Sequence, residues 1–434
     1  MHVKKHLNFT ALREVAQASF AAVPDGRAAN VSNSIRDVMS AGLAVTYFQS
    51  PSLLDFQRNM ESKHQKNNLR SMFDVNKIPT DTGMRQIIDS VDTETAFRPI
   101  YKECFMRLQR GKHLEQYQIL SGKYLLNVDG TQYFSSHDIN CKKCLTRGKT
   151  NKQYYCHQVL QGVIVNPELR QVIPVMPEEI CTQDGDKKED CEVNAFMRFM
   201  DKFRKDHDKL DVIINGDALY AQTRVIDKIR EHKANYIFKI EEANHSTLFQ
   251  NLSVIEKSRA YDLSRRKNEL VIEWYNDIEL FKTTGQRTNY FEAWEVVTQK
   301  DGKKRVEYYG KWITDIEITA KNAKTILGAA RARWKIENEC FNSLKNHGYN
   351  IDHSYGHGSA NLCYNFYNFV LLAFTMHQIH QLTDNLFKKL RSCFGRLASL
   401  WQAVKINIHY WYFEGLEELW LFIIGSYNSN SSLA

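Results

Sequence analysis

Proline is scarce, at 7 in 434 residues, and glycine contributes only 20. A chain so poor in both is neither collagen-like nor dominated by flexible linkers. No single sign of charge prevails: 58 Lys and Arg face 50 Asp and Glu, a formal net charge of +8. That excess permits an acidic partner and is too small to identify one. Long apolar runs are missing too. The most apolar late stretch, 362–382, is broken by Asn, His and Gln. It falls short of the roughly 18–20 uninterrupted apolar residues of a membrane span, so no membrane association is expected. Cysteines number nine, an odd count in a long chain, which argues against a disulfide framework. The opening MHVKKHLNFTALREV offers no apolar segment before a small-residue cleavage site, so secretion is not expected. A cytoplasmic protein with reduced thiols is the reading. What the chain does have is 43% hydrophobic residues, with 23 Phe, 21 Tyr and 7 Trp. That is enough to bury the cores of two or three domains and excludes a disordered chain.

Three textures follow one another. The first hundred residues read as helices: 34–48, 52–68 after the break at Pro51, and a third after Pro79 with Thr80–Asp81 as its N-cap. Met84, Ile87, Ile88 and Val91 then recur on one helical face. Two helices around a short turn suit a DNA reader, although ordinary helical packing is the commoner reason for such a pattern. From Lys123 strands begin: 123–129, 157–166 and 171–176, then a helix over 192–207, a strand over 210–217, a helix over 223–232 and a strand over 235–240. That order is the one an RNase H-like α/β domain requires. Residues 241–320 alternate as strands, with Asp301–Gly302 as a hairpin turn. A long helix is expected from Lys321 to Asn346, then aromatic-rich helices over 360–425 and a frayed Ser/Asn tail over 426–433.

Three carboxylates stand out. Asp129 ends the run Leu125–Val128 and Asp217 ends Val212–Gly216. Ligand sites in open α/β sheets lie at the carboxyl ends of strands, so two parallel neighbours would bring both acids to one crevice. Gly130 and Gly216, beside them, suit close backbone approach. On a continuous helix, Ala330, Trp334, Phe341 and Leu344 form a core-facing stripe, and Glu337 falls at its centre. A buried carboxylate needs a partner or a metal. Glu339 is rotated by about 200° and is the fallback. Taken singly, these acids are turn formers and an Arg333–Glu337 pair. Together they suit two Mg²⁺ ions (or Mn²⁺) and the processing of phosphodiesters.

At these residues the sequence resembles a known family. RWKIENECFNSLK (333–345) is similar to the signature helix of bacterial insertion-sequence transposases of the insertion-sequence-4 type, in which an Arg-Trp-x-Ile-Glu run carries the third catalytic acid. LNVDGTQYF and INGDALYA resemble their first-acid and second-acid strands, and 190–195 and 349–358 resemble pieces of one subgroup. The resemblance runs in order over about 30–400. It implies a DDE triad of Asp129, Asp217 and Glu337, with Arg333 and Lys345 on DNA phosphates. It also implies cleavage at transposon ends, strand transfer into target DNA, a homodimeric synaptic complex and a nucleoid-associated cytoplasmic location. The family's Tyr three residues before the Arg is Ala330 here, and the Lys follows Glu337 by eight residues rather than seven. Members of this type often flip a base from the stack, which makes Trp294 and Trp312 stacking candidates, with sheet packing as the alternative. An RNase H-like nuclease without transposition and a transposase-derived DNA-binding protein are the competing readings.

Two further groups draw notice. Cys141, Cys144, Cys156 and His157 have zinc-ligand spacing for a structural Zn²⁺, although adjacent Cys and His sit awkwardly on one ion. Lys142, Lys143, Arg147, Lys149 and Lys152 form a basic loop beside the first acid strand, a phosphate contact or a solvated face. His353 and His357 follow the signature helix as DNA or metal contacts or as satisfied loop histidines. Asp190 and Glu192 suit a helix N-terminus and are the next acids to suspect. The fold expected is α/β: an RNase H-like mixed-sheet core interrupted by a β-rich insertion, flanked by N- and C-terminal α-helical regions. The division is 1–110 helical and DNA-binding, 111–240 first core part, 241–320 insertion, 321–359 catalytic helix and loop, and 360–434 helical.

Overall fold

A strand buried at every position, not every second one, must be covered on both faces, and two segments here meet that condition. They are β2 (Lys123–Ser136), buried from Tyr124 to Val128, and β7 (Val212–Gly216), buried throughout. The computed structural model describes residues 6–27, 31–60, 67–149, 152–181, 191–252, 256–265, 268–298, 303–353 and 355–431. Around those two strands lie β1 (Gln118–Ile119), β3 (Leu145–Arg147), β4 (Tyr154–Val165), β5 (Ile173–Pro174), β6 (Glu178–Ile180) and β8 (Asn235–Lys239). β2 pairs β4 antiparallel, while β2–β7 and β7–β8 are parallel. With β5 and β6 on the outer side of β4, this is the mixed sheet of an RNase H-like core.

The β-rich insertion does not stand apart. Its strands β9 (Ser258–Arg265), β10 (Asn268–Phe281), β11 (Gln286–Thr298) and β12 (Lys304–Thr314) continue the core sheet. β12 pairs antiparallel with β8, giving one 12-stranded sheet. The expected hairpin joins β11 to β12, with Thr298 opposite Lys304. Its turn at 301–302 lies outside the described residues.

Helices cover the sheet. α7 (Glu192–Asp206) buries Val193, Phe196, Phe199, Met200 and Phe203 at helical spacing, α8 (Thr223–Glu231) buries Val225, Ile226 and Ile229, and the short α9 (Ser246–Leu252) buries Leu248. At the N-terminus, α1 (Phe9–Ala21), α2 (Ile35–Tyr47), α3 (Leu53–Met60), α4 (Asn68–Phe73), α5 (Asp81–Ser90) and α6 (Thr93–Arg110) form a helical layer. Thr80 caps α5, as its sequence suggests, by accepting from Gly83 N–H. The helix expected over 52–68 is seen to Met60, and 61–66 lie outside the described residues.

That layer packs on α12 (Leu362–Thr383), which is buried around most of its circumference. Asn365 on α12 donates to the carbonyls of Ile88 (2.7 Å) and Val91 (2.9 Å) and accepts from Thr93 (2.7 Å). The polar residues that interrupt this apolar stretch thus tie the terminal regions together. No helix is long and apolar enough to cross a membrane among the described residues. α13 (Asn385–Ser392), α14 (Leu397–Tyr410) and α15 (Leu416–Ser431) complete the chain. α15 carries the Ser/Asn tail in helix to Ser431 rather than letting it fray.

The long helix expected over 321–346 is broken. α10 (Ala323–Arg331) ends at Ala332, a π-helical turn runs from Ile336 to Phe341, and α11 (Asn342–Asn346) follows. The i→i+5 bonding of a π turn widens the helix, so counting 100° per residue fails across it. Trp334 accordingly lies 43% exposed rather than in a core stripe.

Burial has a consequence for acid stability. It holds His207 and His380 down to about 4 and His377 well below its ordinary 6.5. His377 sits against Trp401 and Tyr47 and meets Tyr349 Oη at 2.6 Å through Nδ1. The unfolded chain takes up these protons below pH 6.5, whereas folded His207 and His380 do so only near 4 and His377 resists protonation well below its ordinary value. The share of stability that these three histidines contribute is therefore fully present above pH 6.5 and is lost, by a few kcal/mol, as pH drops towards 4. Urea titrations across that window check it; a flat profile contradicts it.

Candidate active site

Parallel pairing of β2 with β7 sets the crevice. Their register places Leu125 opposite Ile213 and Asn127 opposite Asn215. Two residues further along each chain stand Asp129 and Asp217. Asp217 leaves the strand as the cap of a short 3₁₀ turn, accepting from Leu219 N–H at 2.8 Å. Both neighbouring glycines are needed for close approach. A Cβ on Gly130 would lie 2.2 Å from Glu192 Oε2, and one on Gly216 would lie 2.6 Å from the Tyr220 ring.

Glu337 reaches the crevice in a way its sequence position does not suggest. It is not buried in a stripe; its side chain is 48% exposed, because the helix breaks and widens around it. Arg333 links it to the first acid. One guanidinium nitrogen, Nη2, lies 2.6 Å from Glu337 Oε1, and Nη1 lies 3.3 Å from Asp129 Oδ2. The helical Arg333–Glu337 pair is therefore present and extends to Asp129. Glu339 faces elsewhere, towards Arg170 at 3.8 Å.

The break before Glu337 is held from the sheet. Asn127, 0% exposed, donates to Ala332 O at 2.7 Å, and Asn215 donates to Ala329 O at 2.9 Å and to Asn127 Oδ1 at 3.1 Å. Carbonyls at a helix end are short of donors, and here two strand asparagines add a second donor to Ala329 O and Ala332 O beside their backbone N–H partners. Sequence patterning counted both as ordinary members of an apolar run.

Charge in the crevice is unbalanced. Burial pushes the Asp129 carboxyl up to about 7; Arg333 opposes this, while Glu192, Asp217 and Glu337 reinforce it. Four carboxylates thus face one guanidinium. Glu192 is the acid that sequence reasoning placed second. It heads α7 and accepts from buried Tyr220 Oη at 2.5 Å. Burial and Asp217 raise its pKa, against that hydrogen bond. Asp190 lies outside the described residues. Hard oxygen donors in this excess over positive charge fit divalent cations.

A family model described as transposase DDE domain matches residues 142–364, just over half of the 434 residues. The chain belongs to this family. It is a transposase: its substrate is DNA, which it cleaves and whose strands it transfers, and the family implies divalent-metal dependence. Among curated proteins, none matches closely enough to count as a relative. The matched span contains Asp217 and Glu337, whereas Asp129 precedes it on the strand that pairs with β7.

The transposase uses several other expected contacts differently. Lys143 does not present a free charge; its Nζ lies 3.1 Å from Glu179 Oε2 and 2.9 Å from Asn361 Oδ1. Lys142 and Lys149 are exposed, and Arg147 and Lys345 are half-buried. Lys152 is exposed as well. Trp312 is not available for base stacking: it is 5% exposed and stacks on Phe291 at 5.3 Å, because its strand lies inside the sheet. Trp294 is half-buried. Cys141, Cys144 and His157 converge as expected, but Cys156 does not join them. Consecutive strand residues point to opposite faces, so Cys156 on β4 turns away from His157, and His357 takes the fourth place. His353 instead packs edge-on against Tyr355 at 4.8 Å.

Removal of the Asn127 side chain leaves Ala332 O with only the Lys335 N–H as donor and takes away the acceptor of Asn215 Nδ2. Asn127→Ala should cost about 1–3 kcal/mol of stability and weaken the Mg²⁺ dependence of cleavage through a displaced Arg333. Urea unfolding and a Mg²⁺ titration of the cleavage rate measure both effects. An unchanged titration would limit Asn127 to folding.

Proposed function

We propose that Asp129, Asp217 and Glu337 are the acids that hold two divalent ions, Mg²⁺ or Mn²⁺, in this transposase. The observation that carries the reading is the Arg333 guanidinium, shared between Asp129 and Glu337 where Asp217 also acts on Asp129. When bound, such ions activate a nucleophilic oxygen and stabilise the leaving one in an in-line displacement. The chain's own residues prepare the site. Asn127 and Asn215 fix the start of the Glu337 segment, Tyr220 fixes Glu192, and Gly130 lets Glu192 close on the Asp129 strand. Arg333, relieved of its acids, would be free to pair with a phosphate.

An open groove of about 670 Å³ starts at Asp217 and passes Leu219 and Gln222 to His245 and Phe281. It gives DNA a path from the acids towards the insertion. Exposed Lys142 and Lys149, with Arg147 and Lys345, would meet phosphates, and Trp294 remains a stacking candidate for a displaced base. The Arg333–Lys345 motif supports membership of the insertion-sequence-4 type. We assign DNA binding to the helical region 1–110, the core to 111–240 with 321–359, the insertion to 241–320 and a helical region to 360–434. Joining two transposon ends calls for a homodimer. Exposed Tyr410, Trp411, Leu421 and Phe422 on α14, α15 and their connection offer an apolar face for it. Cytoplasmic, nucleoid-associated action accords with a DNA substrate.

Asp129→Asn, Asp217→Asn and Glu337→Gln should each lower Mg²⁺-dependent cleavage by more than about 100-fold while sparing binding to the element's own ends. Gel analysis of 3′-OH ends and mobility shifts read the two effects separately. Full activity in Glu337→Gln with loss in Glu339→Gln would reassign the third acid.

A further inference from the structure

Outside the acid crevice, four side chains from three distant segments aim at one point. Cys141 and Cys144 sit on the turn between β2 and β3, His157 on β4, and His357 in the loop between α11 and α12. Their ligand atoms all lie within 4.8 Å of one another. Cys141 Sγ and Cys144 Sγ are 3.8 Å apart. His157 Nε2 is 3.5 Å from Cys141 Sγ and 3.4 Å from Cys144 Sγ. His357 Nε2 is 3.4 Å from Cys144 Sγ and 3.1 Å from His157 Nε2.

A tetrahedral zinc ion has Zn–S of about 2.3 Å and Zn–N of about 2.0–2.1 Å, which set edges of about 3.8 Å (S–S), about 3.5 Å (S–N) and about 3.3 Å (N–N). The five distances follow that pattern in both size and order. The orientation of the rings agrees. His357 Nδ1 meets its Gly358 carbonyl at 2.9 Å, and His157 Nδ1 faces Glu179 Oε1 at 3.7 Å, so each imidazole turns Nε2 to the centre. Two buried Nε2 atoms 3.1 Å apart gain little from each other and are well served by a shared cation. Cys144, His157 and His357 are buried, and the Phe134 ring closes the site at 4.6 Å from the His357 ring.

We propose that Cys141, Cys144, His157 and His357 bind one structural zinc ion. No coordination position is left for water or substrate, which separates this site from a catalytic one. The ion ties the loop that follows the Glu337 segment to the strand pair that carries Asp129. That loop is already held on its far side, where Asp89 of α5 accepts from the N–H groups of Ser359, Ala360, Asn361 and Leu362. Zinc would supply the second anchor, before α12 begins. The inference is independent of the assignment of the DDE acids.

Metal analysis of the purified 434-residue transposase tests it. About one zinc per chain is expected, falling below about 0.2 in Cys144→Ala and in His357→Ala and unchanged in Asp129→Asn. Folding of each variant is followed by circular dichroism. Because either variant could misfold, the wild-type chain stripped by chelator is also titrated with Co²⁺. A thiolate-to-cobalt charge-transfer band with tetrahedral visible absorption is expected, along with recovery of amide-exchange protection in 347–361. Three results would overturn the proposal: a folded wild-type chain that holds no zinc and takes up no Co²⁺, full zinc in folded His357→Ala, or a Cys141–Cys144 disulfide in freshly purified protein.

Discussion

One hydrogen-bonded pair of buried asparagines holds the crevice in place. Asn127 and Asn215 face each other across the parallel β2–β7 ladder and spend their remaining donors on the last carbonyls of α10. Buried amides of this kind are costly unless satisfied, and helix ends are costly unless capped. The amide donors and the helix-end carbonyls serve one another, while Asn215 Oδ1 stays buried without a hydrogen-bond partner. The consequence is that the sheet, which carries Asp129 and Asp217, dictates where the segment bearing Arg333 and Glu337 begins. The distance between the acids is thus a property of the strand–helix joint and not of flexible loops.

Electrostatics explains why such rigidity is required. Four carboxylates share one crevice with a single guanidinium, and burial raises the Asp129 carboxyl to about 7. Like charges held this close would separate if the backbone allowed it. Arg333 compensates in part by bridging Asp129 and Glu337. The formal net charge of +8 conceals this local excess of acid. It likewise conceals that Lys143, a member of the basic loop, is spent on Glu179 and Asn361.

The β-rich insertion shows how a sheet can grow without a new core. β12 adds to the edge left by β8, and β11, β10 and β9 follow in antiparallel order. An open edge of unpaired backbone groups is thereby used up, and the groove beside Asp217 gains a wall that includes Phe281. On the other side, Asp89 and the 141–157 turn and strand hold the loop after α11.

Much of the site was legible in the chain alone. Apolar runs ending in acids marked β2 and β7, because strands buried on both faces tolerate no alternation, and the glycines beside the acids signalled close approach. Period and composition also gave α5 with its Thr80 cap, and α7. Those features are local, so local chemistry determines them. Tertiary structure decided the rest. The π turn moved Glu337 from an expected buried stripe to an exposed edge beside Arg333, since its widened bonding erases the 3.6-residue count. Strand alternation removed Cys156 from the cysteine cluster, and His357, 200 residues from His157, replaced it. Spacing along a chain reveals which residues share an element's face. Which faces meet is set by packing between elements far apart in sequence, and that is where the position of Glu337 and the fourth member of the Cys/His cluster were decided.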